Sequence, residues 1–233
     1  MKRGLAGLFA LVLVVAFCSC AQSKQSAVEG KLVDANGKPV AGVKITASQV
    51  QPIKGYEQAE AVTGADGGFR LTGLFPSSKY VIKPWSDKWT TEVSMTVETA
   101  PQGETSRLPK PMVIRFTVSA EGVISDNQTG LEWVVGPDRG MKYAEAVQWV
   151  AGCNVAGGGW RMPTRQQLKT LYQKGVGEWN RDPSFKTTGP CVWAEPRDSS
   201  SAWNFTFYNG NENWLYRDTS GNHRAFGVRS RPR

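Results

Sequence analysis

Asp126-Asn127-Gln128-Thr129-Gly130-Leu131-Glu132-Trp133 and, later in the chain, Gly159-Trp160-Arg161-Met162-Pro163-Thr164 decide how this sequence is read. The second stretch ends a glycine-rich turn and opens a helix. Thr164 can cap the first free amides there, and Gln167, three residues on, can reach back to complete a capping box. Gly130 marks a backbone angle that residues with a Cβ avoid. Trp133 and Trp160 supply core volume, and Arg161 is expected in a buried ionic or carbonyl contact. Asp126, Thr129, Gly130, Leu131, Trp133, Trp160, Arg161, Pro163 and Thr164 are therefore read as fold-defining rather than ligand-binding.

Working outward to the beginning of the chain, Lys2 and Arg3 precede an almost wholly apolar run from Leu5 to Phe17. That is the charge and length profile of an export signal, and it is short for a membrane span. Phe17-Cys18-Ser19-Cys20 resembles a bacterial lipobox, which implies removal of residues 1–19 and lipidation of Cys20. Phe17 and Cys18 depart from the usual pattern, and ordinary cleavage near Ala21 is the alternative. Several acyl chains at about 0.8 kcal/mol per buried CH2 suffice for stable anchoring. Ala21 after the cysteine resembles lipoproteins sent to the outer membrane.

The chain beyond Cys20 exceeds one typical domain, and 40% apolar content with nine tryptophans can build real cores. Without Lys2 and Arg3 the chain holds 26 basic and 20 acidic side chains, a mild excess. Arg224 to Arg233 concentrates four arginines and no acid, open to reading as a polyanion contact or a solvated end. An exported chain with so small an excess is not expected to bind nucleic acid. With Cys18 removed and Cys20 lipidated, only Cys153 and Cys191 remain, and an oxidising envelope predicts a disulfide between them.

Residues 25–99 read as a small β sandwich. Gly30 to Asp34 and Val40 to Thr46 alternate apolar and polar residues around an Asn36-Gly37 hairpin signal, and Phe69 to Leu71, Tyr80 to Ile82 and Val93 to Val97 repeat the style. Val50 to Ala61 reads as an insertion, a contact loop or tolerated surface. Residues 100–113, with Pro101, Gly103, Pro109 and Pro111, read as a semi-stiff Pro-rich linker, although Val113 to Phe116 can already pair with a strand of either domain. Residues 114–233 mix two amphipathic helices with short strands, an α+β pattern. Lys142 to Ala151 places Tyr143, Val147 and Val150 on one face, and Arg165 to Lys174 does so with Leu168 and Leu171.

Gly30 to Asp34, Asn36 to Val43, Thr63, Asp66-Gly67-Gly68-Phe69, Leu74 and Tyr80 together resemble the carboxypeptidase regulatory-like, transthyretin-type domain. That resemblance implies a non-catalytic spacer or interaction unit. In the second half, Asp126, Thr129 to Trp133, Tyr143 to Ala146, Cys153, Gly159 to Thr164, Val192-Trp193, Ala202-Trp203, Phe207, Gly210 and Val228-Arg229 resemble the Lcl C-terminal domain family over nearly the whole half. This implies a C-type-lectin-like fold, shared with sulfatase modifiers, and a relative that is an adhesin for sulfated polysaccharide.

The aromatic and amide-rich stretch after Glu195 is where a ligand is expected. Asn204, Tyr208, Asn211, Asn213, Trp214 and Tyr216, with Arg229, combine flat apolar faces with amides, as stacking on sugar rings requires. Trp203 and Phe205 or Phe207 are the expected core members. Arg197 and Phe205 stand where a calcium lectin wants Asn and Asp, so no calcium or other metal site is expected, and no cofactor. With one histidine and no phosphate loop or nucleophile elbow, no catalytic constellation is visible. The sulfatase-modifier chemistry needs a cysteine pair that the expected bridge would consume. The expectation is a non-catalytic envelope lipoprotein that binds a polysaccharide or an exported protein and meets the membrane through its lipid. A structural or assembly lipoprotein is the alternative.

Overall fold

The computed structural model describes residues 25–219 and 221–231. The signal segment, the lipidation site Cys20 and Arg233 lie outside them. The first domain contains β1 (Ser26–Asp34), β2 (Lys44–Gln49), β3 (Gln58–Val62), β4 (Gly68–Leu74), β5 (Lys79–Trp85), β6 (Trp89–Thr90), β7 (Met95–Glu98), β8 (Thr105–Arg107) and β9 (Met112–Ile114). One sheet runs β4-β1-β8 with β9 also on β1, and the other runs β3-β2-β5-β7. Alternation along each strand turns Val28 and Leu32, Ile45 and Ala47, Phe69 and Leu71, and Tyr80 and Ile82 into a shared core. The Tyr80 hydroxyl donates to the Tyr56 carbonyl and accepts from the Phe75 amide, and burial pushes its pKa up.

Asn36-Gly37 does form a tight turn, with the Asp34 amide donating to the Lys38 carbonyl. Its second arm makes only a single bridge, Val33 to Pro39, before the chain crosses to the other sheet, so β2 begins at Lys44 and not at Val40. The expected insertion at Val50 to Ala61 is shorter, because its last four residues belong to β3. Residues 100–113 are not a free linker. β8 and β9 lie parallel to β1, and Met112 is buried in the sandwich core with Ile114 just beyond it.

The second domain contains β10 (Phe116–Ser119), β11 (Ile124–Asp126), β12 (Leu131–Val135), α1 (Tyr143–Gly152), a 3-10 turn (Val155–Gly157), α2 (Arg165–Thr170), β13 (Cys191–Pro196), β14 (Ser201–Thr206), β15 (Asn211–Tyr216), β16 (His223–Arg224) and β17 (Phe226–Ser230). Its sheets run β17-β12-β11-β10-β6 and β15-β14-β13-β16. The α+β expectation is corrected to mostly β with two short helices among the described residues. β6 belongs in sequence to the first domain yet pairs with β10, and Asn36 Nδ2 donates to the Asn127 carbonyl at 2.8 Å, so the two cores are clamped together.

The helices differ from their periodicity in instructive ways. α1 buries Tyr143, Ala146 and Val150, while Val147 is exposed. The lysine at its N-cap has no acceptor, so Glu145 alone closes that end by accepting from the Lys142 amide. α2 stops at Thr170, four residues before the expected end. Leu171, at its C-cap, is still fully buried. Its N-terminus carries the predicted capping box: Thr164 accepts from the Gln167 amide and Gln167 accepts from the Thr164 amide.

The expected disulfide is not formed. Cys153 and Cys191 are both free and half-buried. Cys153 closes α1, its amide donating to Val150. Cys191 is held between β14 and β16 by its pairing with Thr206 and His223. Each thiol is placed by its own element rather than by the other.

Candidate functional site

Asp126 shows how the first motif works. Fully buried, it accepts from Arg115 Nε and Nη2 at 3.1 Å, from the Gln128 amide and from Thr129 Oγ1. Arg115 also donates to the Thr170 carbonyl, so the carboxylate fixes a tight turn and, through the arginine, the end of α2. Gly130 has φ 72°, the left-handed value the turn requires. Leu131 starts β12 and packs against the core that holds fully buried Trp133. In the second motif Trp160 Nε1 donates to the Val155 carbonyl and Pro163 is buried. Arg161 is exposed, contrary to expectation, and reaches the Met162 carbonyl and Gln167. Among the described residues the buried arginines are Arg181, which the sequence reading passed over, and Arg224, which it placed in the arginine-rich end.

The candidate ligand residues are divided by β15. Residues alternate across a strand, so Asn211 and Asn213 point to one face and Trp214 and Tyr216 to the other. Trp214 is 44% exposed and Tyr216 62%, with their rings edge to face at 6.2 Å. Trp203 lies directly opposite Trp214 on β14, half-buried against the core rather than inside it. Arg165 stacks on Trp203 at 3.8 Å and Arg197 on Trp214 at 4.0 Å. The result is a row of alternating guanidinium groups and rings on the α2 side of the sheet. Its amides are absent, because Asn213 is on the opposite face donating to Thr206. Asn204 is 1% exposed, between Trp193 and Asn213 in register, and cannot meet a ligand. Phe205 and Phe207 are fully buried, as expected. Tyr208, in the turn after β14, is 69% exposed and stands apart from the row.

Arg229 is also withdrawn from the set. Its Nε donates to Glu132 at 2.9 Å, its Nη1 to the Ala156 and Gly158 carbonyls, and its plane stacks on Trp160 at 4.1 Å. Arg224 is buried against Asp138. The expected arginine-rich end is therefore largely internal, with exposed Arg231 the exception among the described residues.

Sequence reading misses Arg165 and Arg197, since Glu195-Pro196-Arg197 invites comparison only with a calcium motif. In the structure Glu195 accepts from the Arg165 amide and Nε. Among the described residues the Arg197 side chain donates no hydrogen bond, and its nearest carboxylate, Asp198, is 4.0 Å away. Asp198 instead organises the turn, accepting from Ser201 and Ser200. Those bonds, Ser201 first, hold its carboxyl well below the usual range. Among the described residues no three metal-ligating side chains gather.

No curated protein matches the chain. Of solved structures, a C-terminal 282-residue fragment of intimin, in complex with the intimin-binding domain of the translocated intimin receptor, aligns at 12% identity. It has a TM-score of 0.32, covering 82% of this chain and 89% of that one. A 9R-lipoxygenase from Cyanothece aligns at 11% identity with a TM-score of 0.27, covering 89% of this chain and 42% of that one. Both scores are too low to define the fold. Two family models match: residues 27–109 match the carboxypeptidase regulatory-like domain and residues 122–229 the Lcl C-terminal domain. In chain order, then, a region that matches the carboxypeptidase regulatory-like domain is followed by one that matches the Lcl C-terminal domain.

Proposed function

We propose that this chain is a non-catalytic cell-envelope lipoprotein whose second domain, on a lectin-like scaffold, binds a polysaccharide through the exposed row of Trp203, Arg197, Trp214 and Tyr216. The observation that carries this reading is the Arg197–Trp214 stack on an edge strand. A large ring and a guanidinium with free donors face solvent there, held by a carboxylate-locked turn. Trp214 and Tyr216 supply flat faces for sugar rings, and Arg197 supplies donors for hydroxyl, carboxylate or sulfate oxygens. The first domain would space this face from the membrane.

A glycan array with the full chain tests it, followed by titration of any hit. Trp214→Ala and Arg197→Ala are expected to weaken binding about tenfold each, the equivalent of about 1.4 kcal/mol. Unchanged binding in Trp214→Ala would overturn the assignment of this face. Silence across the array, with capture of a defined envelope protein that depends on Trp214, would move the ligand class to protein.

A further inference from the structure

The first domain carries a groove of a different kind. β1 is paired along one edge by β8 up to Glu29 and by β9 from Leu32. The Leu108 amide still donates to the Glu29 carbonyl, and from Pro109 to Pro111 the chain leaves the ladder, so the sheet is interrupted beside Gly30 and Lys31. A groove of about 450 Å³ opens there, within the range of sites that seat a small group. Its floor is apolar. Phe69 lies over Gly30, where a Cβ would sit 2.5 Å from the ring and 2.6 Å from Leu108, and Pro109 and Pro111 complete the wall.

The rim is cationic. Lys31, Arg70, Arg107 and Lys110 line it against one carboxylate, Glu29. Glu29 is already bound by Arg70 and Arg107, the former chiefly holding its pKa low. Lys31 reaches Asp66 outside the groove at 3.5 Å, and Lys110 has no partner among the described residues. Four cations against Glu29 and Asp66 leave the rim a positive excess.

We infer that this groove binds an acidic peptide segment of a partner protein, seating one apolar side chain on Phe69 and Leu108 with its carboxylates on the basic rim. Charge complementarity sets the acidic flanks. The concave, apolar floor sets the central side chain, which a flat lipid surface would leave unfilled. The site lies in a different domain from the aromatic row and does not depend on it.

The full chain, reconstituted in neutral phosphatidylcholine discs, is titrated with a fluorescent acidic pentapeptide centred on phenylalanine. Glycine-centred and lysine-flanked counterparts serve as comparators. The acidic phenylalanine peptide should bind at least about tenfold more tightly than either, with affinity falling as salt rises. Exposed Lys110→Glu with Arg107→Glu should abolish that preference, whereas Trp214→Ala should leave it intact. Equal binding of the glycine-centred peptide, or no binding, overturns the inference. Displacement of the peptide when the discs contain phosphatidylglycerol would mean that acidic lipid occupies the groove, and overturns it as well.

Discussion

Two of the second domain's arginine–tryptophan stacks have almost the same spacing, 4.1 Å for Arg229 on Trp160 and 4.0 Å for Arg197 on Trp214. They have opposite fates. Arg229 is held by Glu132, by two backbone carbonyls and by a ring that is 6% exposed. Arg197 is exposed and its donors are open, on a ring that is 44% exposed. Residue type does not separate a structural pair from a binding pair. What separates them is how many of the guanidinium's five donors the fold itself consumes.

Breaking the inner stack should cost most. In Arg229→Ala, Glu132 remains as a carboxylate only 11% exposed and without its close partner, and the loop carbonyls of Ala156 and Gly158 lose their donor. A loss of about 3 kcal/mol is expected, at the lower end for a buried pair because Arg231 stays 4.0 Å away. Urea denaturation measures it. A loss below about 0.5 kcal/mol, ordinary for an exposed residue, would erase the contrast between the two stacks.

A third guanidinium sharpens the point through pH. Arg224 donates to Asp138, which also accepts from Thr187 and Thr188. The Thr187 bond first, then Arg224, holds the Asp138 carboxyl far below its ordinary range. A carboxylate with a depressed folded pKa contributes stability above its unfolded value of about 3.9, and that contribution is lost as pH falls toward the folded value. Stability should therefore decline below about pH 4, more steeply than in Asp138→Asn, which has no such proton to take up. Parallel acid dependence in both proteins would remove Asp138 from the account.

A smaller effect is expected at the base of the outer row. Thr164→Ala removes the acceptor for the Gln167 amide and should cost about 1 kcal/mol. Because Arg165 is the first residue of α2 and carries the stack on Trp203, ligand affinity should fall with it, whereas Thr164→Ser should restore both. Calorimetry on the three proteins checks this order.

The capping box at Thr164 is legible in the sequence because its chemistry is local: one side chain, one amide, three residues. The sandwich strands are legible because alternation reports one buried face. Asn204 misleads because its burial depends on Trp193 from another strand. The cysteines mislead because compartment and count say that a bridge is permitted, not that two elements meet. Residues 100–113 look like a linker by their prolines; the apolar run from Val113 announces that a strand pairs there, yet nothing at short range says that Met112 and Val113 find the edge of β1. Arg197 is hidden for the same reason. Its partner Trp214 is brought to it only by the β14–β15 hairpin, and nothing in Glu195-Pro196-Arg197 announces that.

The least disturbance to the fold should come with the largest change in binding. Trp214 stands on an edge strand, its ring touching Arg197 and Tyr216. Trp214→Ala removes exposed surface and should shift stability by no more than about 0.5 kcal/mol, while Arg229→Ala changes stability strongly at a stack of equal spacing. If ligand titration shows the reverse, with Trp214→Ala unfolding the domain and binding untouched in the folded fraction, then the outer stack is a structural edge brace. Donor occupancy would then fail as the criterion that distinguishes the two.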